Sequence, residues 1–253
     1  MSSGTTDFDR LVAEAEAQDF SGWDFSYLSG RCIEKDPSWN YKQKVQERLA
    51  GVDTMLDMGT GGGEFLASLQ PLPKHTHATE GYGPNIPIAR ARLEPLGVQL
   101  LEVGADEHLA FEDDFFDLVI NRHEAFSAPD VWRILKPGGR FITQQVGGKD
   151  CLRLNELLQK HPKHPFPDWV LQKAVGELQA CGFKILEQRE EYPETVFLDI
   201  GAVVYFLKAI CWQIEGFSTA DYRKQLLVID KMIREEGGLV VNSHRFYIAA
   251  RKV

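Results

Sequence analysis

Asp57 closes a short apolar run. Four glycines follow within five positions, Gly59, Gly61, Gly62 and Gly63, before Phe65, Leu66 and Leu69 open an apolar pattern at helical spacing. That order reads as strand, glycine turn and helix, the first unit of a doubly wound α/β domain. Glycine is needed where the backbone takes positive φ or where a ligand touches the main chain. The helix beyond the turn offers free N–H groups at its start. A dinucleotide loop runs Gly-x-Gly-x-x-Gly. Gly59 and Gly61 fit it, but the third glycine position holds Glu64. The Asp57 carboxylate would repel a pyrophosphate and suits a ligand that carries positive charge.

The second acidic strand end is Glu80. His75 to Thr79 reads as a short strand closing on Glu80-Gly81, and Glu80 lies 21 positions after Gly59. This is close to the roughly 20-residue spacing at which a carboxylate meets ribose hydroxyls. A carboxylate accepts two hydrogen bonds from a vicinal diol, and a solvated turn glutamate is the plainer alternative. Tyr82 follows, where its ring suits an adenine or ribose face. The main chain turning through Thr60 is expected to cradle a ligand that carries positive charge.

These residues need a sheet to position them. Pro84 to Leu96 reads as a helix with Ile86, Ala89 and Leu93 inward, ended by Pro95 and Gly97. Val98 to Val103 is the third strand, followed by Gly104-Ala105-Asp106. The fourth strand, Leu118-Val119-Ile120, brings Asn121, Arg122 and His123 to the carboxyl edge, where open α/β sheets bind ligands. Ser127 to Ile134 is a helix, and Leu135-Lys136-Pro137-Gly138-Gly139 turns into the fifth strand, Arg140 to Gln145. Asp168 is expected to cap a helix with the stripe Leu171, Ala174, Val175 and Leu178. Phe183 to Glu190 and Phe246 to Ala250 are the last two strands.

Five separated places, in the right order over about a third of the chain, resemble the class I S-adenosylmethionine-dependent methyltransferases. They are the Asp57 glycine turn, the Glu80 strand end, Ala105-Asp106, the Phe111 to Asn121 run with Phe116-Asp117, and Leu135-x-Pro137-Gly138-Gly139. Ala110 stands where the family's run has proline. The chain is similar to the methyltransferase type 11 or ubiquinone-biosynthesis-like group. The resemblance implies a doubly wound, mostly parallel seven-stranded sheet, S-adenosyl-L-methionine as cofactor, and methyl transfer by in-line displacement. It implies cofactor contacts at Asp57, Gly59, Thr60, Gly61, Glu80, Gly81, Tyr82, Asn121 and Arg122. It also implies that Ala105 permits close approach and that Asp106 accepts from the adenine amine. Asp106 reads equally as the N-cap of a turn through Glu107 and His108, and the two roles coexist. Arg31 is a weaker candidate for the cofactor carboxylate, with a surface arginine as the plainer reading.

Methyl transfer needs no covalent enzyme intermediate, so the lack of a Ser-His-Asp or Cys-His pattern is no objection. Where the acceptor must lose a proton, His123 is the best-placed base, since an unperturbed imidazole titrates near neutral pH. Glu124 is placed to orient it or to substitute for it. A histidine that only hydrogen-bonds a neighbouring loop is the alternative.

The formal net charge of −9 argues against a nucleic-acid substrate, because such binders carry a basic face. The four cysteines are widely spaced with no Cys-x-x-Cys pair, which gives no metal site and makes the cytoplasm the expected compartment. No signal peptide and no run long enough to span a bilayer is visible, and no obligate protein partner is evident. Residues 1–51 read as a helical cap segment, with a weak helix at Leu11, Val12 and Ala15. Aromatics at Phe20, Trp23, Phe25 and Tyr27 either pack on a core or wall a ligand. A helix opened by Asp36-Pro37 carries Tyr41, Val45 and Leu49 inward. Residues 52–192 read as the cofactor-binding core, 193–243 as a two-helix insertion, and 244–253 as the final core strand. The insertion carries stripes at Ile200, Val203, Val204, Leu207 and Cys211, and at Tyr222, Leu226, Ile229 and Ile233. It reads either as a lid on the substrate side or as a second core layer. The acceptor expected is a small molecule. The alternatives are an rRNA guanine methyltransferase-like enzyme, whose N-terminal zinc ribbon Cys32 alone cannot build, a non-catalytic adenosyl-ligand binder, and a nicotinamide oxidoreductase, which Asp57 and Glu64 disfavour.

Overall fold

The structure is a computed structural model that describes residues 7–20, 24–104 and 108–253. Within them the chain packs as two compact units, neither continuous in sequence. One is drawn from Met1–Pro37, Gly148–Pro167 and Tyr192–His244, the other from Ser38–Gly147, Asp168–Glu191 and Arg245–Val253.

The second unit is built on a seven-stranded sheet. Its strands are β1 Thr54–Met58, β2 His75–Glu80, β3 Gln99–Glu102, β4 Phe116–Arg122, β5 Leu135–Val146, β6 Phe183–Glu191 and β7 Arg245–Lys252. Their spatial order is β3-β2-β1-β4-β5-β7-β6. β1 to β5 pair in parallel, and β7 lies antiparallel between β5 and β6. The seven-stranded, mostly parallel α/β sheet implied by the sequence is therefore present. All five residues of β1 are buried, as expected for a central strand covered on both faces.

Period-two alternation sorts side chains into two cores. Met55, Leu118, Ile120, Ile142 and Tyr247 point to one face with Leu66, Leu69, Ala89 and Leu93. Leu56, Val119, Phe141, Phe246 and Ile248 point to the other with Val131, Ile134 and Leu178. Each fully buried Leu, Ile or Phe contributes about 1.5–3 kcal/mol. The strand order reverses between β1 and β4, which opens a crevice at their carboxyl ends.

Asp117, from the Phe116-Asp117 motif, pins the start of β1. Its Oδ2 accepts from Thr54 N (2.9 Å), Thr54 Oγ1 (2.8 Å) and Asp53 N (3.1 Å), and Lys136 Nζ donates to Oδ1 at 2.8 Å. Desolvation works against the charged carboxylate, but Lys136 and these donors outweigh it and hold the pKa at about 2.

Some boundaries differ from expectation. The helix expected after Asp36-Pro37 is Tyr41–Gln46, and Asn40 caps it by accepting from Gln43 N at 3.0 Å. Asp168 does not cap the helix Leu171–Ala180; the N-cap position is Val170, and Glu190 Oε1 accepts from Leu171 N at 3.2 Å. β5 starts at Leu135 because Phe116 already pairs with Leu135, ahead of a register shift. The first helix starts later than Asp36-Pro37 and takes the adjacent Asn40 as its cap, while the free N–H of Leu171 is met by a residue distant in sequence.

In the first unit, Phe8, Val12 and Ala15 of the helix Asp7–Ala17 share one apolar core with Ile200, Val203, Val204 and Leu207 of Ile200–Ala209 and with Leu226, Ile229 and Ile233 of Arg223–Glu236. A three-stranded antiparallel sheet, ordered Cys32–Glu34, Glu194–Phe197, Leu239–Asn242, belongs to the same unit. Arg31 is committed there. Its Nε donates to Asp199 Oδ2 at 2.7 Å and its Nη2 to Oδ1, while Asp199 caps Ile200–Ala209 through Ala202 N. Among the described residues no helix is long and apolar enough to cross a membrane.

Candidate active site

The glycine turn leaves β1 with Gly59, Gly61 and Gly63 at φ +65°, +62° and +81°, the left-handed region that glycine enters freely. Two of them are also spatially fixed. A Cβ on Gly59 would lie 2.4 Å from Glu124 Cγ, and one on Gly63 would lie 2.8 Å from Leu93 Cγ. Threonines and carboxylates then tie the turn down. Thr60 N donates to Thr79 O at 2.9 Å, and Thr60 Oγ1 donates to Asp57 Oδ2 at 2.8 Å. The Glu80 carboxylate, at the end of β2, accepts from Gly61 N at 2.6 Å through Oε2 and from Tyr82 N at 2.7 Å through Oε1. A carboxylate offers about four acceptor sites, so Glu80 keeps one on each oxygen for a diol.

Asp57 is 3% exposed and Glu80 5%. Burial pushes the Asp57 carboxyl up to about 7, and the Glu80 charge adds to the shift. The Thr60 hydroxyl and the Arg122 guanidinium pull the other way without balancing it. The turn thus holds a carboxyl whose ionised form lacks sufficient compensation, a ready site for a cationic group.

The turn after β4 closes the other side. Asn121 is fully buried; its Oδ1 accepts from Thr143 Oγ1 (2.8 Å) and Gln145 Nε2 (2.6 Å), while its Nδ2 has no hydrogen-bond partner among the described residues. An orphaned buried donor at a strand's carboxyl end is where a bound ligand would supply the acceptor. Arg122 is exposed and lies over the Phe65 ring, 5.3 Å from its centroid. His123 takes φ +62° and keeps exposed surface. Loss of hydration, reinforced by the Arg245 and Arg122 charges, still holds its pKa well below the usual imidazole value. Its N donates to Gln144 O at 2.8 Å, and its Nε2 meets Gln144 Nε2 at 3.0 Å. Glu124 lies against Gly59, and Ala125 N donates to its Oε1 at 3.2 Å. Desolvation raises the Glu124 pKa, with the Glu80 charge adding to it. The side chain that meets the imidazole is therefore Gln144, where Glu124 was expected.

The structure brings Asp57, Gly59, Thr60, Gly61, Glu80, Gly81, Asn121, Arg122, His123 and Glu124 to the carboxyl edges of β1, β2 and β4. Gly81 lies so close to Val103 O that a Cβ would approach it to 2.9 Å. Tyr82 follows as a half-exposed ring. Ala105 and Asp106 lie outside the described residues. The supporting roles of four residues were missed in the sequence: Trp39, Tyr41, Gln144 and Gln145. Tyr41 OH donates to Asn121 O at 2.9 Å, and Gln145 Nε2 donates to Glu124 O at 2.9 Å. The one usable clue was two adjacent amides, Gln144-Gln145, at the end of an apolar strand. Among the described residues no group of three or more His, Cys, Asp or Glu is placed to hold a metal ion.

Comparison with known proteins agrees with this geometry. Residues 56–143 match the family described as methyltransferase domain. The uncharacterized methyltransferase YcgJ of Bacillus subtilis (strain 168) is 25% identical over 135 residues, half of this chain. The chain spans about half the length of that curated relative, 53%. A solved structure from Bacillus halodurans C-125 superposes with a TM-score of 0.60 at 17% identity, covering 83% of this chain and 98% of that one. The [4+2]-cyclase SpnF superposes with a TM-score of 0.53 at 17% identity, covering 96% and 92%. At that identity the two structures show the fold alone, and a cyclase among them means that the fold by itself does not dictate the reaction. The family match covers the turn, the strand ends and the strands β1 to β5 together: residues 56–143 match a methyltransferase domain.

Proposed function

We propose that this chain binds S-adenosylmethionine and transfers its methyl group to a small-molecule acceptor. One observation carries the reading. Asp57 is a buried carboxyl beside a glycine turn, its pKa raised to about 7, and among the described residues the Thr60 hydroxyl is the one side chain that donates to it. A pyrophosphate gains nothing there, whereas an α-ammonium supplies the missing countercharge. Glu80 would hold the ribose hydroxyls through the acceptor capacity left on its two oxygens. Gly59, Thr60 and Gly61 would face the amino-acid part with bare main chain, and Tyr82 would lie beside the nucleoside. Asn121 Nδ2 and Arg122 would serve the cofactor on the β4 side. When bound, the cofactor supplies an activated methyl on a sulfonium for in-line displacement. The chain's own contribution is alignment and exclusion of water, which is worth on the order of 7–11 kcal/mol in reactions of this kind. His123 and Glu124, on the turn after β4, serve the acceptor.

The net charge of −9 favours a small acceptor over RNA, and four free cysteines favour a reducing, cytoplasmic setting. The test is transfer of labelled methyl from S-adenosylmethionine into a cell extract separated into small molecules, RNA and protein. Label is expected in the small-molecule fraction. Label in RNA would overturn the acceptor class in favour of an rRNA guanine methyltransferase-like enzyme. Cofactor binding without transfer to any fraction would leave an adenosyl-ligand binder.

A further inference from the structure

We infer that Trp39 and Gln144 lock His123 as the neutral Nδ1–H tautomer, so that its imidazole serves the acceptor as a hydrogen-bond donor. The lock follows from donor and acceptor chemistry alone; only the identity of what the donor meets rests on the methyltransferase reading.

An indole N–H can only donate. Trp39 Nε1 lies 2.8 Å from Gln144 Oε1, so the amide oxygen is committed to the indole. The amide nitrogen therefore points the other way, to His123 Nε2 at 3.0 Å. An amide NH2 only donates as well, so Nε2 must present its lone pair. A neutral imidazole carries one N–H, which leaves it at Nδ1. Trp39 is 5% exposed and Gln144 6%. Flipping the amide would set its NH2 against the indole N–H and strand two buried donors.

The backbone is fastened by Gln144 and its neighbour Gln145. Gln144 O accepts from His123 N at 2.8 Å, and Gln145 Nε2 donates to Glu124 O at 2.9 Å. Together they hold His123 at φ +62°, a conformation that side chains other than glycine rarely adopt. To act as a base at Nε2 the ring would have to give up the Gln144 bond, and an imidazolium there would face a donor with a donor. The Arg122 and Arg245 charges disfavour imidazolium further. A neutral donor within the influence of both guanidinium charges suits an acceptor that carries an oxygen anion or a carbonyl. Trp39 and Gln144 are positioning residues for it.

The direct test is long-range 1H–15N NMR of the ligand-free chain labelled at histidine nitrogen, at pH 7, with His123 assigned by its loss in His123→Asn. Wild type is expected to show a pyrrole-type Nδ1 and a pyridine-type Nε2. Gln144→Glu places a carboxylate oxygen, an acceptor, against Nε2 and is expected to invert the tautomer. Trp39→Phe frees the amide to rotate and is expected to give averaged shifts. A wild-type Nε2–H tautomer, or shifts that stay unchanged in folded Gln144→Glu or Trp39→Phe, would overturn the lock. None of these readouts needs cofactor or turnover, so they stand or fall apart from the methyltransferase reading. The donor role is read by labelled methyl transfer. His123→Ala is expected to lose about tenfold in activity, the equivalent of one hydrogen bond, and His123→Asn, which keeps an N–H donor on the shorter side chain, to lose measurably less. Equal losses in both variants would return the residue to a base.

Discussion

S-adenosylmethionine should bind about tenfold more weakly at pH 6 than at pH 7.5, and Asp57→Asn should abolish that dependence. Burial, with the Glu80 charge, holds the Asp57 carboxyl at about 7 in the ligand-free chain, against 3.8 for an ordinary aspartate. Below that pH the free site carries a proton that must leave before an ammonium can pair with the carboxylate. Each further pH unit then costs about tenfold in affinity. Glu124 is shifted in the same direction, so the variant is what separates the two.

The same shift makes a statement about stability. A pKa raised by folding stabilises the fold below the unfolded value, near 3.8, and that contribution is lost as pH rises through about 7. At pH 8 the ionised Asp57 costs the ligand-free fold on the order of 4 kcal/mol as an upper bound. Asp57→Asn keeps an oxygen for the Thr60 hydroxyl and removes the charge. It is therefore expected to melt several degrees higher than wild type at pH 8 without ligand, to lose that advantage near pH 4, and to bind cofactor poorly at both. Calorimetry across pH and thermal melts of both proteins check this. A flat affinity profile in wild type, or a destabilised Asp57→Asn at pH 8, would contradict it.

Glu80→Ala should weaken S-adenosylhomocysteine binding about a hundredfold. Two hydrogen bonds from ribose hydroxyls to a carboxylate are worth roughly 3 kcal/mol together, and every 1.4 kcal/mol is tenfold. The variant also releases Gly61 N and Tyr82 N, which Glu80 now holds at 2.6 and 2.7 Å, so the turn should loosen as well. Glu80→Gln separates the two effects. It keeps one acceptor oxygen and should lose less affinity than Glu80→Ala. Unchanged affinity in Glu80→Ala, measured by titration calorimetry, would remove this residue from the site.

The parts of the site legible in the sequence are those where local chemistry is restrictive. Gly59 and Gly61 sit at positive φ, and a Cβ on Gly59 would collide with Glu124, so the glycines announce the turn. Asp57 and Glu80 stand out because acidic residues are costly at the buried ends of apolar strands. The Phe116-Asp117 pair is legible for a different reason: Asp117 staples the start of β1, so the motif is structural rather than ligand-binding. The site roles of Trp39, Tyr41, Gln144 and Gln145 were not legible, because each acts on residues far away in sequence. Trp39 meets Gln144 across 105 positions and Tyr41 meets Asn121 across 80. No periodicity or spacing encodes such pairs. The strand Cys32–Glu34 escaped for a similar reason. It is three residues long, and its partner Glu194–Phe197 lies far along the chain. The apolar stripes of the insertion were legible as helices, but not that they share a core with the helix Asp7–Ala17.

The most direct measurement is a pair of calorimetric titrations of the ligand-free chain at pH 7.5, one with S-adenosylhomocysteine and one with NAD. A turn built for a cationic amino-acid nucleoside gives saturable one-to-one binding of S-adenosylhomocysteine, weakened in Asp57→Asn, and no measurable heat with NAD. Binding of NAD with no response to S-adenosylhomocysteine would contradict the assignment of the glycine turn.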